Sequence, residues 1–172
     1  PFANSGVVVQ VREEDLNAKH GPLAGLELQR QLERRAFEVG GGGYLAPAVR
    51  VADFVAGRTS SDLARSHFRP GLVSADLAEV FPPFIVNGLR EALPRFGRDI
   101  RGYDSAEANL IAVESRTSSP IRIPRDDENL TVPGFEGLFV AGEGPGYAGG
   151  IVSAAADGLK VAAAVLQDMR AS

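Results

Sequence analysis

Apolar positions along this chain recur at two periods, and each change of period marks a new element. Val7 to Val11 is a β-branched run that predicts a strand. From Pro22 to Val39 the period is helical: Leu28, Leu32, Ala36 and Val39 share one face, while Gln31, Arg34 and Glu38 lie elsewhere. Gly40 to Gly43 follow that helix. A phosphate loop precedes its helix, so this run reads as a C-cap and turn. Tyr44 to Phe54 alternates weakly and contains a strand, and Gly57 to Gly71 is a polar loop rich in Gly, Ser and Pro. Ser74-Ala-Asp-Leu opens a short helix with Ser74 as its N-cap. After Pro82-Pro83, Phe84 to Phe96 is a second long helix, with Val86, Leu89, Leu93 and Phe96 on its apolar face.

Asn109 to Glu114 predicts another strand. Ser118-Ser119-Pro120 turns the chain, and Ile121 to Ile123 resumes an extended run. Asp126-Asp127-Glu128 forms an acidic exposed turn, a weak pattern for a metal site because adjacent loop acids are ordinarily just solvated. Pro133-Gly134 turns again. Leu138 to Ala141 is expected to be a buried strand beside a helix from about Gly150 to Asp168, packed through Ile151, Ala155, Leu159, Ala162 and Leu166. The whole predicts an α/β, or mixed α+β, fold. Residues 1–108 form an inserted or substrate-side subdomain, and residues 109–172 form one edge of a nucleotide-binding fold.

The most informative run is Gly137-Leu-Phe-Val-Ala-Gly-Glu-Gly-Pro-Gly-Tyr-Ala-Gly-Gly-Ile-Val-Ser-Ala-Ala-Ala-Asp-Gly158. It reads as a short apolar segment, a glycine-rich bend carrying one acid, and a helix of very small residues. Glycines let backbone approach a ligand closely, and a helix start presents unpaired N–H groups to an electron-rich atom. Glu143 sits in the bend, where its carboxylate either accepts a hydrogen bond from a sugar or ribityl hydroxyl or caps a turn. Gly149 and Gly150 either present N–H groups with Ile151 or simply permit the turn into the helix. Ser153, Ala154, Ala155 and Gly158 let that helix lie close to a neighbour, and Gly158 costs it ~1 kcal/mol relative to Ala. Arg116-Thr-Ser-Ser-Pro-Ile-Arg122 is a second polar cluster that on its own reads as a hairpin turn.

The long glycine-rich run resembles the second FAD-contacting segment of two-dinucleotide-binding-domain flavoproteins. The similarity is greatest to bacterial FAD-dependent dehydrogenases related to the HI0933-like flavoproteins. Gly21-Pro-Leu-Ala-Gly25, Phe37-Glu-Val-Gly-Gly-Gly-Gly-Tyr44, Val51-Ala-Asp-Phe54 and Glu114-Ser-Arg-Thr-Ser-Ser-Pro-Ile-Arg122 carry it further, so that it extends over nearly the whole chain but only the C-terminal part of such a protein. The resemblance implies the C-terminal part of an FAD-binding Rossmann-like fold, with FAD as cofactor and an unidentified small-molecule substrate exchanging hydride with the flavin. It places Gly142, Glu143, Gly149, Gly150, Ile151, Arg116, Thr117, Ser118 and Tyr147 at the cofactor. Tyr147 either covers the ring or is a core tyrosine. The helix N-terminus would stabilise negative charge at the flavin's pyrimidine edge, by about 0.3–1 kcal/mol at a surface and up to ~2 when partly buried.

No Gly-x-Gly-x-x-Gly opens a βαβ unit here, and that loop ordinarily holds a dinucleotide's pyrophosphate. The expectation is therefore that an N-terminal ADP-binding half completes the protein, and that this chain alone is inactive and holds no FAD tightly. Pro1 in place of Met agrees with a trimmed chain or the tail of a longer polypeptide. The alternative is a non-catalytic binding or interaction module.

Composition narrows the field. A net charge of −4, with 16 Arg and 2 Lys scattered rather than clustered, argues against a nucleic-acid or anionic-membrane surface. The absence of cysteine excludes disulfides, thiolate catalysis and Cys-ligated metal centres within this chain, and His20 and His67 are too few for a histidine-rich metal site. Neither histidine has a triad pattern, and Gly-x-Ser-x-Gly is absent. The start lacks the features of a secretory signal, and Val161 to Leu166 is far too short to span a bilayer, so a cytoplasmic location is the default.

Overall fold

The computed structural model describes residues 3–171. Its elements, in order, are α1 (Ala24–Val39), β1 (Ala46–Arg50), α2 (Val51–Val55), β2 (Leu72–Ser74), α3 (Pro83–Asp99), β3 (Asn109–Ile111) and α4 (Ile151–Ala171), joined by loops and short 3₁₀ turns. The fold is mixed α/β, as expected. It divides into two compact units. The first contains the segment ending at Leu16 and Arg30–Ser115, and the second contains Asn17–Gln29 and Arg116–Ser172. Among the described residues no helix is long and apolar enough to cross a membrane.

The first unit is built around β1. This strand lies centrally, parallel to β2 through Ala46↔Leu72 to Ala48↔Ser74 and antiparallel to β3 through Ala48↔Ile111 to Arg50↔Asn109. Pro47 has no N–H to give this ladder, but its carbonyl accepts the Ala112 N–H at 2.9 Å. Pro47, Ala48 and Val49 are all buried, so both faces of the strand are covered, and this explains why the segment alternates only weakly. Phe54 from α2, Leu77 and Val80 from the next turn, and Ile85, Val86, Leu89 and Leu93 from α3 complete the core. The face expected of the second long helix is the one buried, except that Phe96 remains partly exposed and packs edge-on against Tyr103 at 5.5 Å.

A polar clip fastens the loop that follows α2. The buried Ser60 hydroxyl donates to the Asp53 carboxylate at 2.7 Å and accepts the Arg50 N–H at 2.8 Å. Arg58 pairs with the same carboxylate at 2.6 Å. Hydrogen bonds from Ser60 and then Arg58 hold the Asp53 carboxyl below its ordinary range.

The glycines after α1 do end the helix. Gly40 donates to the Ala36 carbonyl and Gly42 to that of Phe37, both at 2.8 Å. Gly41 sits at φ +87°, a conformation an L side chain rarely adopts.

Four expectations change. Val7 to Val11 is not a strand: no ladder pairs with it, and β-branching alone does not make one. Ser74 closes β2 rather than capping a helix, and Asp76 caps the following turn by accepting the Ala78 N–H at 2.9 Å. Leu138 to Ala141 is not a buried strand. Its pairing is one isolated bridge, Thr131↔Phe139, and Leu138 and Ala141 are exposed. Lastly, α4 forms as expected but is rotated. Ala154, Asp157, Gly158, Val161, Ala164 and Val165 are covered, whereas Ile151, Ala155, Leu159, Ala162 and Leu166, the expected packing face, point to solvent.

Phe54 is fully enclosed, with the Arg90 guanidinium 5.2 Å from its ring centre. Phe54→Ala should cost about 3–5 kcal/mol through lost burial and a cavity. Leu138→Ala should change stability by under about 0.5 kcal/mol, because an exposed side chain has little to lose. Urea unfolding followed by far-UV circular dichroism checks both, and equal midpoints for the two variants would contradict the assigned core.

Candidate functional site

The glycine-rich bend of the second unit is held from behind by one ion pair. The Arg125 guanidinium engages both oxygens of Asp157, at 2.5 and 3.0 Å, and donates to the Val140 carbonyl at 2.9 Å. Asp157 in turn accepts the Gly142 N–H at 2.8 Å. The two side chains are only 6% and 12% exposed. The pair therefore joins three pieces: the extended segment at Arg125, the entry to the bend at Val140 and Gly142, and the middle of α4. A planar guanidinium suits this task, because its fork matches a carboxylate and leaves a further donor for a carbonyl.

Tyr147 is the second fastening. Its hydroxyl accepts the Arg125 N–H at 3.0 Å and donates to the Ile123 carbonyl at 3.1 Å. The guanidinium carbons of Arg125 and Arg122 lie 3.7 and 4.3 Å from its ring centre. Such contacts contribute about 0.5–2 kcal/mol, more as water is excluded.

The bend itself turns through backbone bonds. Gly146 donates to the Glu143 carbonyl at 2.9 Å, and Tyr147 donates to the Gly142 carbonyl at 3.1 Å. The polar turn at Ser118–Pro120 is tied to the bend, since the Ser119 hydroxyl donates to the Gly144 carbonyl at 2.7 Å and Ile123 donates to the Pro145 carbonyl at 3.1 Å. Gly146 is required by space as well as conformation. It sits at φ +85°, and a Cβ there would meet the Ile121 carbonyl oxygen at 2.7 Å.

These ties leave an open hollow of about 340 Å³, lined by Ser118, Ser119, Gly146, Tyr147, Ala148 and Gly149. Three of the sequence-derived candidates, Ser118, Tyr147 and Gly149, thus meet at one surface. Glu143 is half-buried in the adjoining bend, and among the described residues its carboxylate takes part in no hydrogen bond or ion pair. Gly150 and Ile151 are exposed at the start of α4, where the first N–H groups lack intrahelical partners. One of these donors is already engaged: the Ser153 hydroxyl accepts the Gly150 N–H at 3.1 Å. Arg116 and Thr117 are exposed and do not line the hollow. Gly142 is buried and commits its N–H to Asp157, so it braces the bend from inside.

The Arg125–Asp157 pair escaped sequence reasoning. Arg125 reads as the flank of an acidic turn, and the residues between it and Asp157 hide their proximity. The available signal was a lone acid in the middle of a helix of Ala, Gly and Val. Asp126, by contrast, behaves as expected of a turn acid. Its carboxylate accepts the Asn129 and Glu128 N–H groups, each at 2.9 Å, and these bonds lower its pKa. No group of acids and histidines with metal-binding geometry occurs among the described residues.

Hydrogen bonds from Arg125, and then from the Gly142 N–H, hold the Asp157 carboxyl down to about 2. Removing its charge would leave a buried guanidinium unpaired, so Asp157→Asn should destabilise the second unit by about 3–5 kcal/mol. Amide hydrogen exchange along α4 reads this directly, and unchanged protection would show the pair to be dispensable.

The pH dependence has a definite sign. A depressed folded-state pKa stabilises the fold above the unfolded value near 3.9, and that contribution is lost as pH falls toward about 2. It amounts to about 2–3 kcal/mol. The difference in stability between wild type and Asp157→Asn should therefore shrink between about pH 4 and pH 2. A constant difference across that window would assign the depression elsewhere.

A family model described as "FAD-dependent protein, C-terminal domain-like" matches residues 1–117, a stretch that takes in all of the first unit and the Asn17–Gln29 part of the second and stops before the glycine-rich bend. A Clostridium beijerinckii protein, described as an uncharacterized protein, is 41% identical over 167 residues, or 96% of this chain. The chain spans 31% of that relative's length. With the family model matching well over half of its residues, the chain belongs to the family of FAD-dependent proteins defined by this C-terminal-like domain.

Proposed function

We propose that the chain is the C-terminal portion of an FAD-dependent oxidoreductase, and that its glycine-rich bend and the start of α4 face the flavin and ribityl end of the cofactor. The observation carrying this reading is the hollow where Ser118, Tyr147 and Gly149 meet, next to the half-buried Glu143 carboxylate, which has no partner among the described residues. The Ser118 hydroxyl, the exposed backbone at the start of α4 and the Glu143 carboxylate in the bend before it fit a neutral, hydroxyl-rich, electron-accepting group. They do not fit a pyrophosphate: Gly144-Pro-Gly-Tyr-Ala-Gly149 has the Gly-x-Gly-x-x-Gly spacing, but among the described residues no strand leads into it and it opens no βαβ unit. The ADP end of the cofactor is therefore assigned to a part of the protein outside this chain.

When bound, the flavin would supply the hydride-accepting centre. The residues here orient and tune. Glu143 accepts a hydrogen bond from a ribityl hydroxyl. The unpaired N–H groups at the start of α4 favour negative charge at the pyrimidine edge. The Arg125–Asp157 pair acts indirectly, by fixing the bend from which these groups project. The oxidised substrate is a small molecule reached from the hollow, and the cytoplasm is the expected compartment.

In the complete protein, Glu143→Ala should weaken FAD binding by roughly 10- to 100-fold, the equivalent of about 1.5–3 kcal/mol for a hydrogen bond to a charged group. Titration of FAD into deflavinated protein measures this, with circular dichroism as the folding control. Unchanged affinity in a folded variant would leave Glu143 as a turn residue and favour a binding or interaction module without flavin.

A further inference from the structure

The helix α4 is apolar on two adjacent faces, and only one of them is used. Its covered face carries Ala154, Asp157, Gly158 and Val161. At about 100° per residue, Ser153, Lys160 and Gln167 form a narrow polar strip about 100° around the helix from the covered face. Between strip and covered face runs an arc of about 100° holding Ile151, Val152, Ala155, Leu159, Ala162, Leu166 and Met169. Ile151 is 91% exposed, Val152 82%, Leu159 75%, Met169 71% and Leu166 57%. Arg170, in the last turn, is the one charge among the described residues that falls on this arc. The arc extends about 27 Å along the helix.

A helix with so little polar surface belongs in an interior. Contiguous exposed apolar patches of this extent mark contact sites in soluble proteins. The rotation of α4 is not free to relieve the exposure, because Asp157 must face Arg125 and Gly142.

Three observations identify the occupant. The relative is more than three times as long as the stretch it shares with this chain, 31% of its length, so most of its polypeptide lies outside the match. The matching family is described as a C-terminal domain, which places further chain on its N-terminal side. Ala155, Ala162 and their neighbour Ala163 line the exposed arc and permit close backbone approach, as packing against a sheet or a second helix demands.

We propose that the Ile151–Met169 face of α4 is the seat for the remainder of a longer polypeptide, corresponding to the part of the Clostridium relative outside its match to this chain. This inference rests on the reading of the chain as one portion of a larger flavoprotein. It adds the surface through which the portions join, immediately beyond the helix start that faces the cofactor.

Because the chain has no cysteine, a single introduced thiol reports on the face cleanly. Leu159→Cys probes the arc and Gln167→Cys the polar strip. Each is prepared in the 172-residue chain and in a chimera in which this chain replaces the matching 167 residues of the relative. Alkylation rates are read peptide by peptide by mass spectrometry. The expected result is similar rates at both positions in the chain alone, and at least a tenfold slowing at Leu159→Cys alone in the chimera. Equal rates at Leu159→Cys in the two settings would overturn the proposal. So would slow labelling in a chain that sediments as a dimer, which would assign the face to a second copy. A chimera that is insoluble where the native relative is soluble also counts against it, since the face would not match its seat. Flavin absorbance is recorded separately. Protection in a colourless chimera would keep the seat and remove the flavin reading, whereas a yellow chimera without protection would do the reverse.

Discussion

The second unit depends on a buried guanidinium and carboxylate meeting in one geometry. Arg125 and Asp157 do more than neutralise each other. The arginine satisfies the Val140 carbonyl, the aspartate satisfies the Gly142 N–H, and the Arg125 backbone N–H reaches the Tyr147 hydroxyl. A pair left alone in a dry interior would struggle to repay its desolvation. Here each partner also closes a backbone group that the glycine-rich bend would otherwise leave open, so charge and hydrogen-bond satisfaction are solved together.

The two units draw on different physics. Of the 18 buried Ala, Val, Leu, Ile and Phe residues among those described, only Ala24, Leu130, Val132 and Val161 belong to the second unit. The first unit has a conventional core around a covered central strand, with Phe54, Leu77 and Leu93 fully enclosed. The second has small residues, turns and polar fastenings. Such a unit is well suited to presenting backbone to a ligand, because little side-chain bulk stands in front of it. It is also a unit with few apolar contacts of its own, and the unused face of α4 belongs to the same pattern.

The surface where Ser118, Tyr147 and Gly149 meet follows from these constraints. Gly146 has to accept a positive φ with the Ile121 carbonyl against it, and this brings the 118–123 segment onto the bend. Tyr147 then lines the hollow with one part of its ring environment while its hydroxyl is used internally. It is at once a structural tyrosine and a wall of the hollow.

The three long helices, the C-cap at Gly40–Gly42, a strand within Tyr44 to Phe54 and the turn at the glycine-rich bend were legible in the sequence alone. In each case the signal was local: helical spacing of Leu28, Leu32 and Ala36, the spacing of Val86, Leu89 and Leu93, or glycine at positions demanding positive φ. Everything that requires a distant partner was settled by long-range packing. Val7 to Val11 has strand-forming residues without a strand to pair with, and Leu138 to Ala141 has the right apolar content but pairs at a single bridge. Ser118 is brought beside Tyr147 by hydrogen bonds across the bend, not by spacing along the chain. The rotation of α4 is the clearest case. Hydrophobic periodicity there offered two acceptable faces, and it pointed to Ile151, Leu159 and Leu166 because they are the larger residues. Asp157 settled the choice the other way, because a buried carboxylate must turn toward Arg125, and the whole helix turns with it.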